Sequence, residues 1–218
     1  MKNILLYFCI AILSGCNSGV RNNPHENSRM QVQVNTDSIR HADSIYRTNR
    51  IAHVDSQLLK LHSKFIPYRD DFNNSITYFH KSWGTHWQNR KCLTAVIDSA
   101  SGHIWLKSNF YNDDWLFHTQ VMVLIAGKKY SSQLLTAFSD NCKTENSGGW
   151  VWEVNTYDLD GGIILAIHDN IKEEIKVRFE GKEYRDDIVL GQKDKQAIYD
   201  SYELSNLLLT KYEFDAMK

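Results

Sequence analysis

The segment EIKVRFEGK (174–182) decides the fold class, because it alternates strictly between charged and apolar residues and then reaches a turn. An alternation with a period of two predicts a β-strand with one buried and one solvated face. The predicted buried face carries Ile175, Val177 and Phe179. The predicted solvated face carries Glu174, Lys176, Arg178 and Glu180. The pair Gly181-Lys182 then predicts a tight connection to another strand, so the sheet is expected to be mainly antiparallel.

The same period of two extends upstream as far as Ile76 and predicts further strands. The predicted inward residues are Leu93, Ala95 and Ile97; Ile104, Leu106 and Phe110; Trp115, Phe117, Thr119, Val121, Val123 and Ile125; and Trp150, Trp152 and Val154. Turn signals between them are Ser101-Gly102, Asn112-Asp113, Gly127-Lys128 and Ser147-Gly148-Gly149. Glu153 falls opposite the tryptophans. His118 and Gln120 also fall on a polar face, where they line a groove, face solvent or lie beneath a helix.

Three helices are predicted around these strands. Residues 36–66 form an amphipathic helix that Thr36 or Asp37 can cap and that Pro67 ends. Its second half carries an apolar stripe of Ile51, Val54, Leu58, Leu61 and Phe65, which should pack on the main domain. Its first half is less regular, with Ile39, Ala42 and Tyr46 among arginines, and is either a partner-binding helix or a solvated start. A short buried helix follows Gly161-Gly162, and Lys193–Tyr212 forms the closing helix.

These elements predict an α+β fold, namely an antiparallel β-sandwich or curled sheet with an N-terminal amphipathic helix, a short internal helix and a C-terminal helix. Residues 67–218 are its β-rich α+β domain, and the amphipathic helix precedes that domain. The chain has 218 residues, of which 42% are hydrophobic and 23% are charged, and this composition excludes a disordered chain or a multi-span membrane protein. The formal net charge of −1 provides no general attraction for nucleic acid, so no nucleic-acid partner is predicted.

The N-terminus MKNILLYFCIAILSGC (1–16) indicates export. Lys2 and the apolar run 4–13 are typical of a signal peptide, and the run is about half the length that a membrane-spanning helix needs. Leu13-Ser14-Gly15-Cys16 resembles the lipobox of bacterial lipoproteins. That resemblance implies removal of residues 1–15 and attachment of acyl chains such as palmitate to Cys16, which would anchor the protein to a membrane. An ordinary secretory signal and a short membrane anchor are the alternatives.

The residues after Cys16 suggest where the protein resides. Residues 16–35 are polar and predict a flexible tether between the membrane and the domain. Asn17 is not the Asp of an inner-membrane retention signal in the lipoprotein family, so we expect the outer membrane, with the domain facing the periplasm. In that oxidising compartment, Cys92 and Cys142 are the candidates for a disulfide bond, and two separate buried thiols are the alternative.

Several segments appear in an order that resembles a family of small exported bacterial proteins with a β-rich domain of unknown function. The segments are WLKSNFYNDDWLF (105–117), a Gly127 hairpin ending at Tyr130, WEV (152–154), LAIHDN (165–170), VRFEGKEYRD (177–186) and KQAIYDSYE (195–203). The resemblance covers roughly residues 93–208 and implies the same fold. It supplies no catalytic residues.

The stretch YFHKSWGTHW (78–87) is the most unusual one for chemistry, with His80, Trp83, His86 and Trp87 close together. Such a set could contact a sugar, a peptide or a metal ion. A metal site needs a third ligand, and none stands at motif spacing, so no metal or cofactor is predicted. The sequence contains no GxSxG, HExxH or phosphate-loop motif. We therefore expect a non-catalytic binding module, with an envelope protein or a small ligand as its possible partner. The alternatives are an assembly partner of another envelope protein and a hydrolase with a dispersed active site.

Overall fold

The computed structural model describes residues 24–84 and 89–216. The chain divides into two compact units, residues 1–48 and residues 49–218. The described part of the first unit is helical. The described part of the second unit contains the end of the same helix, ten strands and two further helices.

The second unit has the predicted α+β architecture, because antiparallel sheets combine with helices that include a C-terminal one. The elements in chain order are α1 (Pro24–His62), β1 (Phe65–Asp70), β2 (Ser75–His80), a 3₁₀ turn (Lys81–Trp83), β3 (Cys92–Asp98), β4 (Ile104–Asn112), β5 (Gln120–Ile125), β6 (Lys128–Ser131), β7 (Cys142–Ser147), β8 (Trp150–Tyr157), α2 (Ile163–Asp169), β9 (Ile175–Glu180), β10 (Arg185–Val189) and α3 (Gln192–Ala216). A curled six-stranded sheet has the order β1-β2-β3-β4-β8-β7, and a second sheet has the order β10-β9-β5-β6.

The core lies between the two sheets and the helices α2 and α3, where apolar side chains from all of them meet. Strand β9 confirms the alternation from which the fold was predicted, since Ile175, Val177 and Phe179 are buried. The hairpins β5–β6 and β9–β10 also form where Gly127 and Gly181 predicted turns. Both predicted later helices are present, and the carboxylate of Asp160 accepts the Ile164 amide at the start of α2 (2.7 Å).

Helix α1 differs from its predicted bounds at both ends. It begins at Pro24, inside the segment that was predicted to be a flexible tether, and it ends at His62 instead of reaching Pro67. Proline is favourable in a first helical turn, where its missing N–H has no partner to lose. Pro67 instead lies in β1, an edge strand of its sheet, where a residue without an N–H is tolerated. Val54 and Leu58 of the predicted apolar stripe are buried as expected, whereas Phe65, which is buried in the same cluster, belongs to β1 and not to the helix.

Two strand predictions placed polar residues on the wrong side. Strand β5 begins only at Gln120, and Phe117 before it has a positive φ of 49° and is exposed. His118 is therefore turned into the core instead of lying on a polar face. In β8 the buried side carries Glu153, whereas Trp150 on the other side is exposed and stacks on Tyr111 with 4.7 Å between ring centroids.

Candidate functional site

The structure brings His80 and Trp83 to helix α3. The Trp83 indole Nε1–H donates to Asp194 (3.0 Å), and Nε2 of His80 lies 3.2 Å from Asp200. Trp83 is 3% exposed and belongs to the core. Trp83 therefore packs in the core, and ligand contact by this stretch stays a prediction. His86 and Trp87 lie outside the described residues.

Asp200 keeps its negative charge in this contact. Burial alone would raise the pKa of its carboxyl group, but hydrogen bonds from His80, Lys64 and Gln196 hold the pKa below its ordinary value. The Ser82 amide donates to Nδ1 of His80 (3.2 Å), and the Ser82 hydroxyl lies 2.8 Å from the same atom. His80 therefore caps the 3₁₀ turn and joins it to α3, which is a structural role.

The two disulfide candidates are both free thiols. Cys92 lies on β3 and Cys142 on β7, with β4 and β8 between them in the sheet. Adjacent strands are about 4.8 Å apart, so three such steps separate the two backbones by roughly 14 Å. A disulfide needs Cα atoms within about 7 Å. The expected disulfide is not formed, because this topology keeps the cysteines apart.

A deeply buried polar cluster that no sequence motif indicated lies around Glu153 and His118. Oε1 of Glu153 accepts the amides of Leu116 (2.6 Å) and Phe117 (2.8 Å). Its Oε2 accepts the amide of His118 (2.9 Å) and lies 2.9 Å from Nδ1 of the same ring. Burial alone would raise the pKa of Glu153, but these hydrogen bonds, led by the one to the His118 side chain, hold it below the ordinary value. The carboxylate fixes the segment before β5 against β8.

Ser108 extends this cluster into an arrangement that resembles a hydrolase triad in its connectivity. Its Oγ lies 2.7 Å from Nε2 of His118, whose Nδ1 faces Glu153. Ser108 has no exposed surface, however, and the neighbouring cavity has about 10 Å³ and is lined by His118 and Glu153 but not by Ser108. A carbonyl substrate could not reach the hydroxyl in this conformation. The geometry supports a structural hydrogen-bond network more than the hydrolase alternative.

A groove of about 380 Å³ lies on the outer face of the second sheet. We call it the β9 groove. It has two rows of paired side chains that cross the strands. One row contains Val189, Lys176, Leu124 and Lys129, and the other contains Asp187, Arg178 and Met122. The volume falls in the range of about 300 to 1,000 Å³ that is typical of small-molecule sites.

The two rows of the β9 groove differ in charge and exposure. In the first row Leu124 and Val189 are exposed apolar residues, at 41% and 59%, beside the lysines. In the second row Arg178 forms a bidentate ion pair with Asp187 (2.6 and 2.7 Å), so its charge is balanced. Lysines and apolar side chains in one concave surface can contact both a charged group and an apolar group of a ligand.

Within residues 24–84 and 89–216, no group of three His, Cys, Asp or Glu side chains could hold a metal ion. In the same part of the chain no helix is long and apolar enough to cross a membrane. Comparisons with protein-family models, with curated proteins and with solved structures found no match. The resemblance to an exported β-rich family therefore stays a prediction from the sequence motifs.

Proposed function

We propose that this protein is a lipid-anchored envelope lipoprotein whose β-rich domain binds a small ligand in the β9 groove without catalysis. The observation that carries the proposal is the groove itself, because it combines a ligand-sized volume with exposed apolar residues. Trp83 and Ser108 are both buried, which disfavours a ligand contact at either of these two side chains.

Binding in the groove can be tested with the neutral probe N-phenyl-1-naphthylamine, whose fluorescence rises in apolar surroundings. Burying a leucine side chain fully contributes about 1.5 to 3 kcal/mol, so Leu124→Ser, at a half-exposed position, should cost roughly 1 kcal/mol and weaken probe binding about fivefold. Leu134→Ser is the matched control, because Leu134 is 72% exposed and lies outside the groove. Equal binding by both variants would contradict the proposal.

The lipid anchor has a separate test. In the native host, Cys16→Ser should release the protein from the membrane fraction, since serine lacks the thiol to which the lipid is attached. Cys9→Ser, which changes a cysteine inside the predicted signal peptide, should leave fractionation unchanged. Membrane association of the Cys16→Ser protein, or a mass spectrum with the leader still attached, would count against the anchor and against placement in the outer membrane.

A second candidate function, assembly with another envelope protein, is favoured by one observation in the first unit. Ile39 and Tyr46 lie on α1 with 58% and 66% of their surface exposed, and Ala42 between them is also exposed. A photo-crosslinking residue at position 46 should then give one adduct of defined mass in cells. The same residue at position 47, off this stripe, should not. Identical adduct patterns at both positions would exclude a specific interface here.

A further inference from the structure

We propose that the ligand of the β9 groove is a single-chain amphiphilic anion, with its carboxylate or phosphate held between Lys129 and Lys176. This inference rests on the proposed function, since it names the chemical class of the ligand for that same groove. It follows from the positions of the charged residues along the two rows.

The cationic part of the groove is set by strand register. Leu124 on β5 has Lys176 of β9 as its neighbour on one side and Lys129 of β6 on the other. Strands are about 4.8 Å apart, so the two lysine backbones are roughly 10 Å apart with Leu124 between them. Lysine side chains are flexible and each ammonium has three donors, so both can converge on one anionic group.

The two lysines are also available for a ligand. Among the residues that the structure describes, the ion-pair partner of Lys176 is Glu174 at 3.5 Å, and both side chains are more than half exposed, which makes this ion pair weak. Lys129 is exposed and forms no ion pair with any residue that the structure describes. An anion that binds here would replace little existing interaction.

The rest of the groove disfavours a second anionic group. Asp187 already balances Arg178. Glu180 also lines the groove, and its buried Oε2 has no hydrogen-bond partner within the described part of the chain. Near Glu180 a further negative charge would be repelled, whereas Met122, Leu124 and Val189 offer apolar contact. The groove therefore fits one anionic head and an apolar chain, and it does not fit a dianion with charges at both ends.

The test uses isothermal titration calorimetry of the purified full chain with dodecanoate, below its micelle concentration. We expect one dodecanoate per chain. We expect at least tenfold weaker binding of dodecyltrimethylammonium and of neutral dodecyl maltoside. Lys129→Gln combined with Lys176→Gln should weaken dodecanoate binding at least tenfold. The matched control combines Lys143→Gln on β7 with Lys172→Gln before β9, because both lysines are exposed and neither lines the groove.

The outcomes separate the two proposals. If dodecanoate and the maltoside bind equally and the lysine variants change nothing, while Leu124→Ser still weakens binding, the anion inference is wrong and the groove proposal stands. If no amphiphile binds and the neutral naphthylamine probe gives no groove-dependent signal, both are wrong. Binding to phosphatidylglycerol vesicles without binding of free dodecanoate would also overturn the inference, because the face would then contact a membrane surface.

Discussion

Replacing Glu153 by glutamine should be among the most destabilising single changes that keep side-chain size. The carboxylate accepts three backbone amides, from Leu116, Phe117 and His118, and also contacts the His118 ring. Glutamine has one acceptor oxygen. If that oxygen keeps the hydrogen bonds from the Leu116 and Phe117 amides, the NH₂ group of the glutamine faces the amide N–H of His118, and two donors then point at each other.

The magnitude follows from this mismatch. The His118 ring can change tautomer and accept a hydrogen bond from the glutamine NH₂, so one backbone donor stays buried without an acceptor. Such a donor costs about 1 to 3 kcal/mol, and the remaining bonds lose their charge assistance, which together gives roughly 2 to 4 kcal/mol. Most single domains have a free energy of unfolding of about 5 to 15 kcal/mol, so the variant should still fold.

Urea unfolding followed by tryptophan fluorescence measures this difference. Glu174→Gln on the same fold is the control, with an expected change below about 0.5 kcal/mol because its contact to Lys176 is exposed. A loss below about 1 kcal/mol for Glu153→Gln would refute the argument that the carboxylate fixes the segment before β5.

The same carboxylate predicts a pH dependence. The pKa of Glu153 in the folded protein is below its ordinary value of 4.5, so the unfolded chain binds more protons and stability rises with pH in this range. The contribution is complete above about pH 4.5 and is lost as the pH falls through the folded-state pKa. Glu153→Gln should have a flatter acid limb than the native chain, and parallel limbs would contradict this assignment.

The remaining predictions concern the cysteines and one glycine. In denaturant without reductant, a maleimide should label both Cys92 and Cys142, and a blocked pair would show that the disulfide forms after all. In the native protein Cys92 should react far more slowly than Cys142, since burial raises the pKa of the Cys92 thiol to about 12; equal rates would contradict its buried position. Gly161→Ala should destabilise by several kcal/mol or prevent folding, because its φ is +65° and a Cβ would stand 1.8 Å from the Ser131 carbonyl oxygen. Gly148→Ala, with a φ of +59° but open space, should cost only about 1 kcal/mol by thermal unfolding; equal losses would show that the contact with Ser131 is unimportant.

Local alternation predicted the strands whose buried face is purely apolar. Strand β9 follows its sequence pattern residue by residue, since its inward residues are all apolar and its outward ones are all charged. Strand β8 does not, because the tryptophans suggested the inward face while the structure buries Glu153 and Asn155 instead. The partners that make their burial favourable lie 35 to 37 residues away, at Leu116 to His118, and a strand pattern does not contain them.

The β9 groove could be predicted only in part. The alternation identified Lys176 and Arg178 as outward residues, which is one strand of the groove. The neighbours that complete it, Leu124, Lys129 and Val189, become adjacent only through the order β10-β9-β5-β6. Strand order depends on pairing between distant segments, and the local alternation of a single sequence does not show which segments pair. The structural roles of His80 and Trp83 could not be predicted for the same reason, since their carboxylate partners on α3 are more than a hundred residues away in the sequence.

Helix α3 is synthesised last among the described elements, yet residues near the start of the domain need its side chains as hydrogen-bond partners. Lys64 and Trp83 are made early, yet their acceptors Asp200 and Asp194 follow 136 and 111 positions later. A nascent chain that ends before Gln192 lacks both carboxylates as well as Ala197 and Ile198 of the core. Because contacts this distant in sequence slow folding, the β1–β2 hairpin should not be packed in its final position until translation is nearly finished. Such a delay would suit any pathway that must thread the polypeptide through a narrow pore before it compacts.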